Sequence, residues 1–275
     1  MAAGKLLPRG ALAARGALRR LFPLRRSGPS RLARKLMLLA GIGVAAWSGY
    51  QAAAIAAAVG AARSQIRETA PFNAFGRGAR LLVIGDSTGV GVGTGAGEGA
   101  ASVAGRLREL NPELLVENHS REGSRIRDVG VQVDASEHAR YDAVLVFVGG
   151  NDVLQLTPGE DFEAHAHEVL NRLASRADLV VLVPPGNVGL SPPLAWPLDR
   201  WMSKRARWVN ETLQRVAAQH GAQCVELFRE SGEDPFEDDP ARYFSDDGFH
   251  PSADGYELWT AEILRQSSLA SVVFR

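Results

Sequence analysis

Four short segments carry side chains that could act together on a carbonyl. In the first, Leu81-Leu82-Val83-Ile84 leads into Gly85-Asp86-Ser87, and a glycine-rich stretch follows at once. A serine hydroxyl becomes a nucleophile only when a base takes its proton. The segment Asp246-Asp247-Gly248-Phe249-His250-Pro251-Ser252 offers such a base. Its loop can curl so that Asp247 holds one imidazole nitrogen of His250 while the other faces outward. In Val148-Gly149-Gly150-Asn151-Asp152, Asn151 follows an apolar run and can aim its side-chain N–H groups at a developing oxyanion. In Asn118-His119-Ser120-Arg121-Glu122-Gly123-Ser124, Gly123 can present its backbone N–H in the same direction.

Each segment also has a plainer reading. A serine at a strand-to-helix turn is commonly a cap, a Gly-Asn-Asp turn caps a helix, and Ser252 explains the last loop as an N-cap without His250. Gly123 can be a simple turn glycine. Gly95-Ala96-Gly97-Glu98-Gly99-Ala100, with Glu117 about 20 residues on, loosely matches a dinucleotide fingerprint. Those glycines come well after the strand ends, and no G-K-[ST] follows, which excludes a Walker loop. His165 and His167 stand two apart on a helix and so point to different faces, which argues against a metal pair. His119 lies near the proposed oxyanion donors and reads best as a loop histidine. His138 and His220 fall at helix ends, where a charged imidazole suits the dipole.

These segments need elements to position them. Apolar, β-branched runs at 80–85, 114–118, 143–149, 179–184 and 223–227 read as strands. Helical stretches at 98–110, 125–136, 162–176, 199–220 and 253–266 alternate with them. That alternation implies a parallel sheet covered on both faces, with ligands bound at the carboxyl ends of the strands. Ser87, Gly123 and Asn151 all fall at such ends. Cys224, the one cysteine, allows no intrachain disulfide and reads as a small apolar residue of the last strand.

Taken in order, Gly85-Asp86-Ser87, Gly123, Gly149-Gly150-Asn151-Asp152 and Asp247-Gly248-Phe249-His250-Pro251 resemble the four blocks of the SGNH hydrolases, also called the GDSL esterase/lipase family. The resemblance covers about residues 80–265. It implies a three-layer α/β/α fold with a flavodoxin-like sheet of about five parallel strands. It implies Ser87 as nucleophile, His250 as general base and Asp247 as the carboxylate that orients it. The oxyanion hole would be the Ser87 N–H, the Gly123 N–H and the Asn151 side chain. Thr88 departs from the Leu or Ile usual after the serine, and Asp86 reads as a loop organiser. Hydrolysis by this route needs no metal or cofactor.

Net charge is zero but unevenly spread: residues 1–35 hold ten Lys/Arg and no acid, leaving 21 basic and 31 acidic side chains in the rest. The acidic body argues against nucleic acid as a partner. Residues 36–62 carry no charge over 27 positions, which is long enough to span a bilayer. Arg31, Arg34 and Lys35 before it favour a signal anchor with the 80–275 domain on the non-cytoplasmic side. A cleaved signal peptide, with small residues at 56–62, leaves a secreted or periplasmic protein. The Arg-rich start also fits an organellar presequence, and Arg19-Arg20 is twin-arginine-like. Residues 63–79 read as a linker.

After the fourth strand, residues 183–202 are rich in Pro and large apolar groups. Leu194, Trp196, Leu198, Trp201 and Met202 are candidates to line an acyl pocket, with a rigid packing loop as the plainer reading. With the anchor, these residues point to a lipid or lysophospholipid ester. An O-acetyltransferase or deacetylase of envelope carbohydrate, and a non-catalytic binding module on the same fold, are the alternatives.

Overall fold

In a computed structural model, residues 29–95 and 99–274 are described. The tail before residue 29, including Arg19-Arg20, and residues 96–98 of the glycine-rich stretch lie outside the described residues. Five apolar runs become strands: β1 (Arg80–Gly85), β2 (Leu115–Asn118), β3 (Tyr141–Phe147), β4 (Ala177–Val183) and β5 (Gln223–Cys224). Helices fill the connections. α1 (Arg31–Glu68) precedes the sheet, and α2 (Ser87–Val90) and α3 (Val103–Leu110) join β1 to β2. α4 (Val129–Ala135) leads to β3, α5 (Gly150–Leu154) and α6 (Gly159–Leu173) to β4, and α7 (Leu198–Gln219) to β5. α8 (Pro235–Asp238), α9 (Pro240–Tyr243), α10 (Ala253–Gln266) and α11 (Leu269–Val273) follow β5.

The strands pair in parallel in the order β2-β1-β3-β4-β5. Gly85 pairs with Phe147, and Phe147 with Val183, so three strands end in line on one edge. The chain passes from β1 outward to β2, then returns to β3 on the other side of β1. This reversal opens a crevice above the ends of β1 and β3, the usual ligand position in such sheets.

Both faces of the sheet are covered, which is why the strands are continuously apolar rather than alternating. Successive side chains still point to opposite faces. Leu82, Ile84, Val144, Val146 and Leu182 pack with α4, α6 and α7. Leu81, Val83, Ala143, Leu145 and Phe147 pack with α3, α10 and α11.

Among the elements that differ from the sequence expectation, three stand out. β5 pairs at only two residues, then Val225 N donates to Leu182 O at 2.9 Å and the chain leaves the ladder, although Val225 and Leu227 stay in the core. The helix expected from residue 98 starts at Val103, where Ser102 caps it by accepting from Gly105 N at 3.2 Å. α1 runs on past residue 62 to Glu68. Charge at Arg63 ends a hydrophobic run but not a helix, and no proline follows until Pro71.

The chain divides into two units, Met1–Gly49 and Tyr50–Arg275. In the first, α1 leaves Leu36, Met37, Leu38, Leu39, Ile42, Val44 and Trp47 exposed. α1 is long and apolar enough to cross a membrane. From Tyr50 onward it belongs to the second unit, where Gln51 and Ala58 are buried.

Candidate active site

The serine turn is built by close backbone approach. Gly85 has φ +130°, and a Cβ there would sit 1.8 Å from Phe147 O, so only glycine fits. Asp86 N then donates to Phe147 O at 2.9 Å, fastening the turn to β3. The Asp86 carboxylate caps α2 by accepting from Thr88 N (2.9 Å) and Thr88 Oγ1 (2.5 Å). Ser87 thereby opens a helix at the strand edge, largely buried but lining a cavity.

His250 bridges Ser87 and Asp247. Its Nε2 lies 2.8 Å from Ser87 Oγ and its Nδ1 lies 2.6 Å from Asp247 Oδ2. A carboxylate only accepts, so Nδ1 carries the proton and Nε2 is free to accept from Ser87. Asp247 Oδ1 accepts from the N–H groups of Phe249 (2.7 Å) and His250 (2.9 Å), which is how three residues of loop curl onto one carboxylate. Asp247 is wholly buried. Burial alone would raise its pKa, but the His250 contact and the backbone donors outweigh it and hold the carboxyl below its usual range. Across the loop, Gly93 (φ +102°) lets the chain after α2 pass against His250 and Pro251. A Cβ there would meet Pro251 O at 2.2 Å.

Three residues that carry candidate donors, Ser87, Gly123 and Asn151, line the same cavity. Gly123 has φ +74°, and among the described residues neither its N–H nor that of Ser87 donates to a protein acceptor. The Asn151 side chain lines the cavity and gives one amide hydrogen to Ser124 O at 3.1 Å, leaving the second available. Beneath it, fully buried Asp152 accepts from Ile126 N (3.0 Å) and Thr157 Oγ1 (2.8 Å), tying the Asn151 helix to the segment after Ser124. Burial raises the pKa of Asp152, and that of Asp86 to about 6.

The cavity has a volume of about 520 Å³. Of the five residues expected from the loop after β4, Leu194, Leu198 and Met202 line it. Trp196 and Trp201 do not: both are exposed, because α7 begins at Leu198 and its turn carries Trp201 to the outer face. α1 also lines it, through Ile55, Val59, Ala62 and Ile66.

His119 is drawn away from the cavity by Glu117 at 2.6 Å, and His165 and His167 bond separately, to Asp161 O and to His220. Glu117, Glu137 and His138 come within reach of a common ion. They lie off the cavity, and Glu117 already accepts from the Tyr141 hydroxyl, Glu137 N and His119.

Residues 83–258 match the GDSL-like lipase/acylhydrolase family. The chain belongs to this family. As a GDSL-type protein it is a carboxylic ester hydrolase with the five-stranded parallel sheet of that group. Its fold is similar to that of an α/β hydrolase from the metagenome of Lake Arreo, Spain, at 22% identity and TM-score 0.54 over 70% of this chain and 96% of that one. A variant of an acetyl xylan esterase from Geobacillus stearothermophilus matches at 23% identity and TM-score 0.51, over 70% and 95% of the two chains. An extracellular lipase from Streptomyces rimosus matches at 16% identity and TM-score 0.52, over 69% and 100%. No curated protein matches the chain.

The GDSL-type hydrolase also uses residues that no motif marks. Gln132, in α4, is buried and bonds both backbone groups of Gly85. Gln51 and Gln65, in α1, reach the loop after β4 and the Asp247 loop respectively. Each is a glutamine within a helix, and sequence alone does not distinguish such a residue from a solvent-facing one.

Proposed function

We propose that the protein hydrolyses carboxylic esters of apolar acyl groups through an acyl-enzyme on Ser87. His250 Nε2 takes the Ser87 proton as Oγ bonds to the ester carbonyl carbon. The resulting oxyanion is met by the Ser87 N–H, the Gly123 N–H and the Asn151 Nδ2–H. His250 then gives its proton to the departing alkoxide, so the alcohol leaves neutral and the acyl group stays on Ser87. A water delivers its proton to His250 as its oxygen attacks the acyl carbon, and His250 returns that proton to Ser87 Oγ as the bond from Oγ to the acyl carbon breaks and the acid leaves. Asp247 keeps His250 in the right tautomer and balances the imidazolium charge.

The observation that carries this reading is the unbroken Ser87–His250–Asp247 contact chain, at 2.8 and 2.6 Å, opening onto an apolar cavity. The apolar lining favours a fatty acyl group over a sugar, and hence a lipid or lysophospholipid ester. The exposed apolar residues of α1 before Gly49 support a membrane anchor, because isolated soluble proteins rarely leave so continuous an apolar surface uncovered. The basic residues Arg31, Arg34 and Lys35 favour the catalytic unit on the non-cytoplasmic side.

The test is a fluorophosphonate probe and an aryl ester assay on wild type, Ser87→Ala and His250→Ala. The expected result is labelling of Ser87 in the wild type and loss of turnover in both variants. Wild-type turnover in either variant overturns the assignment.

A further inference from the structure

We propose that residues 51–66 of α1 are a permanent wall of the acyl site and set the length of acyl chain it accepts. This inference deepens the hydrolase reading above and rests on it.

Four α1 residues line the cavity that holds Ser87, Asn151 and His250: Ile55, Val59, Ala62 and Ile66. Their spacing of four, three and four residues puts them on one helix face. All are apolar, and Leu194, Leu198, Met202 and Phe249 line the same cavity. The volume of about 520 Å³ lies in the range of pockets that enclose a small ligand. An ester carbonyl held at Ser87 would send its acyl chain along this apolar lining.

The wall is fastened at both ends. At one end, buried Gln51 donates from Nε2 to Pro193 O (3.1 Å) and accepts at Oε1 from Ala195 N (2.9 Å). Pro193 and Ala195 flank Leu194, so this pair of bonds also holds Leu194 in the lining. At the other end, the Ser245 hydroxyl lies 3.2 Å from the Gln65 side-chain amide and 3.0 Å from Asp247 Oδ1. Ser245 has one proton, and the carboxylate can only accept, so that proton goes to Asp247. The Gln65 amide then fits by turning its NH₂ toward the Ser245 oxygen, a half-turn that leaves its shape unchanged. The result is a hydrogen-bonded line from α1 through Ser245 to Asp247, and from there to His250 and Ser87.

This arrangement gives α1 a second role beside anchoring. A cut among the small residues at 56–62 would separate Gln51 and Ile55 from Gln65 and Ile66 and open the cavity. The helix therefore stays attached in the active protein. The uncharged run at 36–62 is also shared: from Gln51 onward its inward face is part of the catalytic unit.

Full-length protein in one detergent micelle tests the wall. The substrates are 4-nitrophenyl acetate, octanoate and laurate, and kcat/KM is expressed per Ser87 titrated with a fluorophosphonate, so misfolded protein is not counted. Ala62→Phe fills the cavity and should lower the octanoate-to-acetate ratio by about tenfold or more, the scale of one methylene or more denied to an apolar pocket. Ile55→Ala removes volume and should raise the laurate-to-octanoate ratio. Ala57→Phe, on the exposed face of the same helix, should keep the wild-type ratios. If Ala62→Phe yields no titratable protein, Ile55→Ala decides alone. Wild-type ratios in titratable wall variants overturn the proposal. Failure of wild-type Ser87 to label overturns the serine hydrolase reading instead, and the wall with it.

Discussion

Gln132 holds Gly85 by both of its backbone groups. Its Oε1 accepts from Gly85 N at 2.6 Å and its Nε2 donates to Gly85 O at 2.9 Å, while the same Nε2 donates to Ser124 Oγ at 3.0 Å. One buried side chain thus joins the turn before Ser87 to the residue after Gly123, and fixes the proposed nucleophile relative to a donor of the proposed oxyanion hole. Gln132→Leu fills a similar volume but leaves the buried Gly85 N–H unpaired, while Gly85 O keeps the Arg121 N–H at 3.0 Å, at a cost of roughly 1–3 kcal/mol. The expected outcome is a lowered denaturant midpoint, together with a fall in kcat larger than any rise in KM among the molecules that remain folded. A variant with lost stability but wild-type kcat would reduce Gln132 to a structural residue.

Asp247 accepts four hydrogen bonds: from Ser245 Oγ, Phe249 N, His250 N and His250 Nδ1. Asp247→Asn keeps the shape, but its NH₂ cannot accept from Nδ1–H, so the imidazole turns to the wrong tautomer. The expected loss in kcat is about 10⁴-fold with Ser87 still in place. Steady-state kinetics measure the loss. A loss under tenfold would show that Asp247 does not orient His250.

Much of this was readable from the chain because the chemistry sits where strands end. β1 matches its expected bounds, and the β1, β3 and Asp247 loop segments converge because parallel strands in register deliver their loops to one edge. Pattern reading fails where a residue acts through long-range contact. Gln132 lies 47 positions from Gly85, and Gln51 lies 142 from Pro193. Neither glutamine is apolar, charged or periodic, so nothing local marks it. The same limit explains α1. Residues 50–62 are small and uncharged, as a membrane span requires, and that composition also suits a helix that lies close against another surface. Trp196 and Trp201 drew attention by size, yet side-chain direction within the loop and α7, not size, decides what lines a cavity.

Asn151 lines the cavity and gives one amide hydrogen to Ser124 O, which leaves the other for a ligand. Asn151→Ala removes a donor that strengthens only as charge develops on the carbonyl oxygen. The expected effect is a kcat lowered by about 10²–10³-fold, with KM little changed. Fluorophosphonate labelling should slow in parallel, since it passes through a similar charged geometry. A rise in KM with unchanged kcat would assign Asn151 to ground-state binding.

Asp86 and Asp247 make opposite contributions to stability as pH changes. Burial pushes the Asp86 carboxyl from 3.8 up to about 6. The folded state therefore holds the Asp86 proton more tightly than the unfolded state does. Its ionisation costs stability above about pH 6, by about 3 kcal/mol, and the cost fades between 6 and 3.8 and is gone below. Asp247, with its pKa lowered, stabilises above 3.8, and that support is lost as pH falls through its lower folded value. In Asp86→Asn the side-chain oxygen still accepts from Thr88 N and Thr88 Oγ1, and no charge is buried. The variant should exceed wild type in stability at about pH 8 by up to about 3 kcal/mol, with the gain shrinking toward zero near pH 4. Chemical denaturation of both proteins across that range measures the difference. A gain that is constant with pH, or largest in acid, would mean that Asp86 does not carry a buried charge in the folded state.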